Sequence, residues 1–338
     1  KGTGETEFVV ENGKLWSAET PELYTLKITF GEDEREIKFG IREVEVSAKE
    51  GLKINGERVI LFGACVHHDN GLLGGAGIDF AEERKARLIK EAGYNAVRSA
   101  HNPCSKAFMR ACDKLGLYIL DEYVDMWYIR KTRYDYAEKV EKNYKKDLLS
   151  MVEKDYNSPS VIMYSLGNEV SETAQKRGIA LLKDMTDYLH GIDYRPVTCG
   201  VNIFFNLLSS LGFGIYSDKK AEKDDGKAVG SEFFNRLAGI LGDKTMKIGA
   251  KLKGCDVKTR DAFAVLDVAG YNYGILRYKK DVKKYPDRVI LGTETFCNDA
   301  ARFIKLAEKY PSVIGDFVWS GIDYLGEVAV GSWVYEWD

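Results

Sequence analysis

The sequence lacks the patterns that would place the protein in a membrane or on nucleic acid. No apolar run approaches the roughly 20 residues of a membrane-spanning helix, and no signal peptide is visible at the start of the chain. Acidic and basic residues nearly balance, with a formal net charge of -3, whereas nucleic acids and anionic membranes attract basic surfaces. We therefore predict a cytoplasmic protein with neither a membrane nor a nucleic acid as a partner.

Cysteine patterns for metals and loop patterns for nucleotides are missing too. The six cysteines form no CxxC pair and no zinc-type spacing, and several lie in apolar segments, where buried free thiols are usual. No GxGxxG or GxxxxGK(S/T) loop follows a predicted strand. These absences predict free thiols in a reducing cytoplasm. The apolar residues, 45% of the chain, are sufficient for a large core.

Residues 1–48 are predicted to form antiparallel β-structure. In Tyr24–Phe30 apolar and polar residues alternate, as in a half-buried strand, and Glu36–Val46 supplies the return strand or strands. Two or three strands cannot form an independent sandwich, so we assign residues 1–48 to the tail of a β-sandwich. Its earlier strands are expected upstream of Lys1, in a longer protein.

From Gly51 onward strands and helices alternate. A hairpin turning at Asn55-Gly56 precedes the first helix, for which we predict a capping box with Asp79 as N-cap and Glu82 three residues later. The eight predicted strands are Val59–Val66, Asn95–Ser99, Leu117–Leu120, Val161–Leu166, Pro196–Val201, Val265–Tyr271, Val289–Thr293 and Val313–Trp319.

This alternation predicts a (β/α)8 TIM barrel of the α/β class over residues 49–338. The rhythm breaks at about 202–262, which we interpret as an insertion after the fifth strand. An open doubly wound sheet is the rival fold, but it would need the phosphate loop that the sequence lacks.

Polar or aromatic residues follow each predicted strand. Because the carboxyl ends of parallel strands meet at one face of a barrel, we expect these side chains to converge. A lone residue of this kind is more often structural, but eight such strand ends together favour a functional site. The set comprises His67, His68, Asp69, Arg98, Ser99, His101, Asp121, Glu122, Asn168, Glu169, Asn202, Tyr271, Asn272, Tyr273, Glu294 and Trp319.

Two of these residues, Glu169 and Glu294, are carboxylates that follow apolar strands far apart in sequence. Such a pair is what glycoside hydrolysis needs, because one carboxyl group protonates the leaving oxygen and the other acts as nucleophile or base. A separation of about 5 Å would predict retention of configuration through a covalent intermediate. The acid also needs a raised pKa to hold its proton near neutral pH.

Seven motifs follow one another along nearly the whole chain: LWSAETPELYTL, NGERVILFGACVHHD, NAVRSAHNP, LYILDE, SVIMYSLGNE, VILGTETF and GDFVWSGIDYLGE. In order and spacing they resemble family 2 glycoside hydrolases, which include β-galactosidases, β-glucuronidases and β-mannosidases. The resemblance implies an immunoglobulin-like fold for the sandwich tail and a catalytic barrel after it. It also implies a retaining β-glycosidase for terminal β-linked sugars, most simply a β-galactosidase, with Glu169 as general acid/base and Glu294 as nucleophile.

The resemblance implies further roles around the carboxylates. Asn168 would bind the sugar hydroxyl next to the reacting carbon. Tyr273 is assigned as the tyrosine beside the nucleophile, with Tyr271 as its competitor. The predicted substrate-binding residues are Asn168, His67, Arg98, His101, Asp121, Tyr273 and Trp319.

Departures from the family pattern bear on two predictions, the need for a metal and the sugar that is cleaved. The run Glu122–Trp127 lacks the Glu and His of magnesium-dependent β-galactosidases, so we predict no metal and no other cofactor; a metal site at residues 67–69 is a disfavoured alternative. Gly321–Asp338 lacks the Asn-x-Lys triplet with which bacterial β-glucuronidases recognise a uronic acid. This disfavours β-glucuronidase, which stays an alternative together with β-mannosidase.

The family's jelly-roll domain, the rest of the sandwich and any C-terminal domains are not found in this chain. A rival hypothesis is therefore a catalytically incompetent barrel that only binds carbohydrate or packs against the missing domains. The presence of both Glu169 and Glu294 favours the enzyme. A carbohydrate substrate is the predicted partner, and a homo-oligomer could form through the missing domains.

Overall fold

The computed structural model describes residues 7–214, 216–222 and 246–322. Two small antiparallel sheets come first. One is a hairpin of β1 and β2, and the other has the order β3-β4-β5. Their bounds are β1 Tyr24–Phe30, β2 Asp33–Phe39, β3 Val44–Ser47, β4 Gly51–Ile54 and β5 Glu57–Val59.

Eight parallel strands then close into a barrel with the order β10-β11-β12-β13-β6-β7-β8-β9. The predicted TIM barrel, preceded by strands of a sandwich domain, is thus confirmed. Each strand lies within three residues of its predicted bounds, and most continue into the polar residues at their carboxyl ends. The barrel strands are β6 Leu61–Val66, β7 Ala96–Ser99, β8 Tyr118–Glu122, β9 Val161–Asn168, β10 Val197–Asn202, β11 Val268–Asn272, β12 Val289–Phe296 and β13 Val313–Ile322.

Helices cover the outside of the barrel. Ser105 caps the second helix by accepting a bond from the Phe108 N–H at 3.0 Å, and Gly116 ends it in the left-handed conformation. No helix among residues 7–214, 216–222 and 246–322 is long and apolar enough to cross a membrane. The helices are α1 Asp79–Glu91, α2 Lys106–Leu115, α3 Ala137–Asp155, α4 Lys176–His190, α5 Ile203–Ser210, α6 Asp218–Glu222, α7 Lys253–Phe263, α8 Tyr278–Lys284 and α9 Ala300–Lys309.

The capping box predicted for α1 is wrong. Ile78 occupies the N-cap position, Asp79 is already helical, and no side chain caps the helix. Glu82 is buried, and its carboxylate pairs with Lys85 Nζ at 3.0 Å and accepts a bond from Asn70 at 3.3 Å. These partners take the oxygen atoms that a capping box would direct to the backbone.

The predicted insertion falls only partly within the described residues. Residues 215 and 223–245 lie outside them. Asn202 at the end of β10 caps α5 directly, accepting a bond from Phe205 N at 3.1 Å. At the other end, α7 packs against α4 and β11, so the segment before β11 forms a crossover helix of the barrel.

The N-terminal segment closes the amino-terminal end of the barrel. Trp16 is fully buried, its indole N–H donates to the Asp113 carbonyl at 2.9 Å, and its ring meets Tyr118 edge-on at 5.7 Å. Leu52 and Ile54 of β4 belong to the same apolar cluster, which continues into the barrel interior. This end is therefore filled by packing, and the opposite end is left for chemistry.

Candidate functional site

Arg98 of β7 lies at the centre of the carboxyl-terminal face. Its fully buried guanidinium makes a two-pronged contact with Glu122, with Nε and Nη2 each donating to Oε2 at 3.0 and 2.7 Å. Nη1 donates to Glu294 Oε1 at 2.8 Å. Burial opposes the charge, but these carboxylates raise the pKa of Arg98 well above its usual value. The arginine is therefore a fixed cation that joins strands β7, β8 and β12.

Glu122 of β8 orients the neighbouring ring of His101. Its carboxylate accepts bonds from His101 Nδ1 at 2.7 Å and Ser165 Oγ at 2.6 Å. Although burial opposes ionisation, Arg98 and His101 hold the pKa of Glu122 below its ordinary value. An ionised partner at Nδ1 leaves His101 Nε2 to accept from Asn168 Nδ2, at 3.2 Å. Sequence reasoning placed Glu122 at the strand end without giving it this role.

An aromatic wall stands beside this cluster. The rings of His101 and Trp319 stack with centroids 5.3 Å apart and planes 3° from parallel, and His67 meets Trp319 edge-on at 5.1 Å. His67 Nδ1 lies 2.8 Å from the Ala100 carbonyl oxygen. The peptide bonds Ala100–His101 and Trp319–Ser320 are cis. The wall combines flat apolar faces with ring nitrogens, a combination that suits a sugar ring.

Glu169 and Glu294 occupy different electrostatic environments. Glu169 Oε1 accepts bonds from the amides of Asn202 at 2.8 Å and Asn272 at 3.1 Å. Its burial, followed by the nearby charge of Glu294, raises the pKa of Glu169 to about 7. Glu294 is paired with Arg98 instead, and Tyr273 also hydrogen-bonds to it. Glu169 can thus hold a proton near neutral pH, while Glu294 lies against a buried cation.

Backbone conformation sets the position of two of these groups. Glu169 and Tyr273 directly follow β9 and β11 and adopt φ values of 45° and 55°. Non-glycine residues rarely adopt this left-handed region, and such strain is concentrated at functional sites.

Asn168 is held from both sides. Its Oδ1 accepts bonds from Arg98 Nη2 at 3.0 Å and Asn272 Nδ2 at 3.1 Å, and its Nδ2 donates to Asp125 Oδ1 at 3.1 Å. Lys131 Nζ binds both Asp125 Oδ1 and the Asn168 carbonyl oxygen, each at 2.7 Å. The Asp125–Lys131 pair therefore fixes the main chain immediately before Glu169.

Sequence reasoning missed Asp125, Lys131 and Tyr216. Asp125 comes three residues after Glu122, which is a weak signal, whereas Lys131 lies on the long connection between β8 and α3. Lys131 Nζ lies over the Tyr216 ring, 4.8 Å from its centroid. No strand-end pattern could have identified these loop residues.

The structure separates the two candidate tyrosines. Tyr271 points out of the barrel, where its hydroxyl donates to Asp281 at 2.8 Å and its ring stacks on Phe263 at 4.6 Å. Tyr273 faces Glu294, and burial together with the Glu294 charge raises the pKa of the Tyr273 hydroxyl. The structure therefore places Tyr273, and not Tyr271, beside Glu294.

Asp121 does not join the cluster. Its carboxylate accepts bonds from the Cys104 N–H at 2.8 Å and Lys154 Nζ at 3.0 Å, on the helix side of β8. The prediction that it binds substrate needs correction, because side chains alternate along a strand and Glu122, not Asp121, faces inward. The other predicted residues, Asn168, Glu169, His67, Arg98, His101, Tyr273, Glu294 and Trp319, all border the site.

The described part of the chain contains no group of three or more His, Cys, Asp or Glu side chains arranged to hold a metal. The cysteines are free: five are buried, and Cys297 is exposed near Trp319, whose carbonyl oxygen lies 3.9 Å from its Sγ.

Sequence comparisons agree with this geometry. The profile of "Glycosyl hydrolases family 2, TIM barrel domain" matches residues 44–235, and that of "Glycosyl hydrolases family 2" matches residues 1–42. The beta-galactosidase BoGH2A of Bacteroides ovatus is 29% identical over 97% of this chain and 42% of its own length. A putative beta-glucuronidase of Formosa agariphila is 35% identical over 52% of this chain and 18% of its own length. The chain thus spans less than half the length of these relatives.

Solved structures give the same result. A glycosyl hydrolase family 2 member from Bacteroides cellulosilyticus has a TM-score of 0.73 at 37% identity, covering 93% of this chain and 35% of that one. The beta-D-glucuronidase of Dictyoglomus thermophilum has a TM-score of 0.64 at 19% identity, covering 92% of this chain and 53% of that one. The second likeness shows a shared fold.

Proposed function

The chain belongs to glycosyl hydrolase family 2, whose barrel profile covers residues 44–235, and from that premise we propose that it is a retaining β-glycosidase. Its substrates are terminal β-linked sugars, with β-galactosides favoured. The observation that carries the proposal is the unlike pair of carboxyl groups, one protonated near neutral pH and one paired with a buried arginine.

The first step uses both carboxyl groups together. Glu169 gives its proton to the glycosidic oxygen while the bond from that oxygen to the anomeric carbon breaks. The Glu294 carboxylate forms a bond to the same carbon and holds the sugar as an ester. Arg98 and Tyr273 contact Glu294 and keep its reactive oxygen in place. Asn168 presents its amide to the hydroxyl next to the reacting carbon.

The second step reverses the roles. Glu169, now a carboxylate, takes a proton from water, and the water oxygen attacks the anomeric carbon. The bond to Glu294 breaks and the sugar leaves with its original configuration. The stacked His101 and Trp319 rings bind the sugar face, and His67 supports Trp319 from the side.

Charge around the site favours a neutral sugar. Asp69 and Asp125 lie on the same wall as His101, Glu122 is hydrogen-bonded to His101, and Arg98 is already paired with two carboxylates. A uronic acid would add another anion there without a free cation in the described cluster. This supports a β-galactosidase over a β-glucuronidase, although relatives of both names exist.

The test is hydrolysis of aryl β-galactoside, β-glucuronide, β-mannoside and β-glucoside by this chain. We expect the galactoside to be cleaved fastest. Glu294→Gln and Glu169→Gln should each lose about a thousandfold or more in kcat, roughly 4 kcal/mol of barrier. Glu308→Gln, a change of an exposed glutamate on α9, is the matched control and should match the parent.

A fluorinated glycoside distinguishes the enzyme from an inactive sugar-binding barrel. Such a substrate slows breakdown of the covalent intermediate, so mass spectrometry should find the sugar on the peptide that contains Glu294. Failure to hydrolyse any of the four glycosides, together with no labelling of Glu294, would refute the proposal. Fast cleavage of the glucuronide or mannoside would correct only the sugar.

A further inference from the structure

A cavity of about 810 Å³ opens beside the catalytic cluster. Its near wall is shared with the cluster through His101 and Asp125, and its far wall is formed by Tyr123, Tyr136 and Asp147. Small-molecule sites have volumes of about 300–1,000 Å³, so this cavity is at the large end. The cavity is therefore large enough to hold a sugar ring.

The barrel topology shows where this cavity lies relative to the two catalytic carboxyl groups. Glu169 and Glu294 belong to the ends of β9 and β12, and the amides that hold Glu169 come from β10 and β11. The cavity lies along the ends of β6, β7 and β8, which face β10, β11 and β12 across the closed barrel. A sugar with its anomeric carbon between the two carboxyl groups and its remote hydroxyls turned towards β6, β7 and β8 would reach the cavity.

The far wall is an ordered polar surface. Asp147 Oδ2 accepts bonds from the Tyr123 hydroxyl at 2.8 Å and the Tyr136 hydroxyl at 3.1 Å, and Asn143 Nδ2 donates to Tyr136 at 3.2 Å. Tyr123 is only 5% exposed, so this triad is supported by the core. Its second carboxylate oxygen and the Tyr136 ring can bind hydroxyl groups and a sugar face.

The charges of the lining specify the ligand class. Asp69, Asp125 and Asp147 line the cavity, and among the described lining residues there is no lysine or arginine. Asp125 is paired with Lys131, so a sulfated or uronic sugar would meet chiefly the carboxylates of Asp69 and Asp147, whereas a neutral sugar can donate its hydroxyls to them. The cavity therefore suits an uncharged sugar.

We propose that this cavity is a second sugar subsite, which binds a neutral sugar attached to a remote hydroxyl of the sugar being released. The chain then cleaves β-linked disaccharide units as well as single terminal sugars. This inference rests on the proposed glycosidase function and adds a longer substrate to it.

The test compares aryl β-glycosides of one sugar and of neutral disaccharides that carry the same sugar at the aryl bond. The disaccharides differ in which hydroxyl carries the outer sugar. We expect at least one isomer to have a kcat/KM no lower than that of the monosaccharide. Tyr136→Ala, which removes the ring, and Asp147→Asn should each lower the disaccharide-to-monosaccharide ratio of kcat/KM about tenfold. Tyr134→Ala, at an exposed tyrosine on the same connection outside the lining, is the control and should leave the ratio unchanged.

Binding to the Glu294→Gln variant gives a readout that needs no turnover. Calorimetry should show the accepted disaccharide binding about tenfold tighter than the monosaccharide, with the advantage lost when Tyr136→Ala is added. Equal affinities, or disaccharides of every linkage cleaved a hundredfold more slowly than the monosaccharide, would overturn the subsite while leaving the glycosidase proposal intact. Absence of hydrolysis and of labelling at Glu294 is the distinct result that refutes the glycosidase itself.

Discussion

At the scale of single residues, the site depends on how neighbours tune Glu169. Burial and Glu294 raise its pKa, and the Lys131 ammonium is the first of the groups that lower it. Lys131 also contacts the carbonyl oxygen of Asn168, one residue before Glu169. A loop lysine therefore adjusts the acidity of a carboxyl group that it does not touch.

Replacing Lys131 should move the pH dependence of catalysis. Glu169 acts as an acid only while protonated, so kcat/KM should be high below its pKa of about 7 and fall as the pH rises through that value. Lys131→Met removes a charge that lowers this pKa, so the falling limb should shift to higher pH. The measurement is the pH profile of kcat/KM with an aryl glycoside.

The control for that experiment is Lys139→Met, an exposed lysine at the start of α3. Its profile should follow the parent. A Lys131→Met profile with the falling limb at the parent's pH, even with a lower rate, would show that the lysine acts through packing alone.

The sequence predicted the two glutamates and most of their neighbours at strand ends, but not the loop residues around them. Glu169 and Glu294 were found because each ends an apolar strand, and strand ends converge in a barrel. Asp121 and Glu122 could not be ranked in this way, since adjacent strand residues face opposite sides and both are acidic. Lys131 and Tyr216 reach the site from loops, whose course depends on tertiary packing.

At the scale of elements, β10 carries a glycine, Gly200, at the point where it passes Arg98. A Cβ at Gly200 would lie 2.9 Å from Arg98 Nη2, 3.2 Å from Asn272 Oδ1 and 3.4 Å from Asn168 Oδ1. Arg98 cannot move aside easily, because it is fully buried and bonded to Glu122 and Glu294. The strand therefore makes room for the guanidinium.

Gly200→Ala should displace Arg98 and thus both carboxylates that it binds. We expect kcat/KM to fall at least about tenfold, or about 1.4 kcal/mol, while the circular dichroism spectrum stays that of a folded barrel. Gly191→Ala is the matched control, since Gly191 follows α4 with an ordinary φ of -75°. Parental activity in Gly200→Ala would show that the cluster can rearrange around an added methyl group.

Element prediction succeeded where the apolar pattern was long and failed where polar residues had competing partners. The cores of all eight barrel strands were predicted from apolar runs, but strands such as β12 continue through Glu294 to Phe296 because ladder pairing with β13 extends there. The α1 capping box failed because Glu82 is buried against Lys85. The partners of such polar side chains depend on tertiary packing, which the sequence pattern does not show.

At the scale of the whole molecule, the N-terminal segment and the barrel share one core. The β1–β2 hairpin is largely exposed, with Phe30 85% exposed, whereas Trp16 is buried against the barrel. Arg42 also donates to the Pro159 carbonyl at 3.1 Å and the Val161 carbonyl at 2.7 Å, at the start of β9. The predicted domain boundary at residue 48 did not foresee this sharing, because sequence patterns do not show which elements pack together.

Trp16→Ala should destabilise the barrel itself. Removing a fully buried Trp typically costs about 3–5 kcal/mol, and here it would also leave the Asp113 carbonyl without its indole donor. The free energy of unfolding, measured in urea by far-UV circular dichroism, checks this. Phe30→Ala is the control, with an expected change within about 0.5 kcal/mol for an exposed side chain. If the two variants lost similar free energies of unfolding, the burial of Trp16 against the barrel would not be a special source of stability.

The single exposed thiol has a practical consequence. Five of the six cysteines are shielded in the core, whereas Cys297 lies at the surface beside the backbone of Trp319. A maleimide dye would therefore attach to the native chain at one known place, without engineered cysteines. Placed next to the stacked aromatic pair, the fluorophore would report through its emission when a ligand settles on the tryptophan.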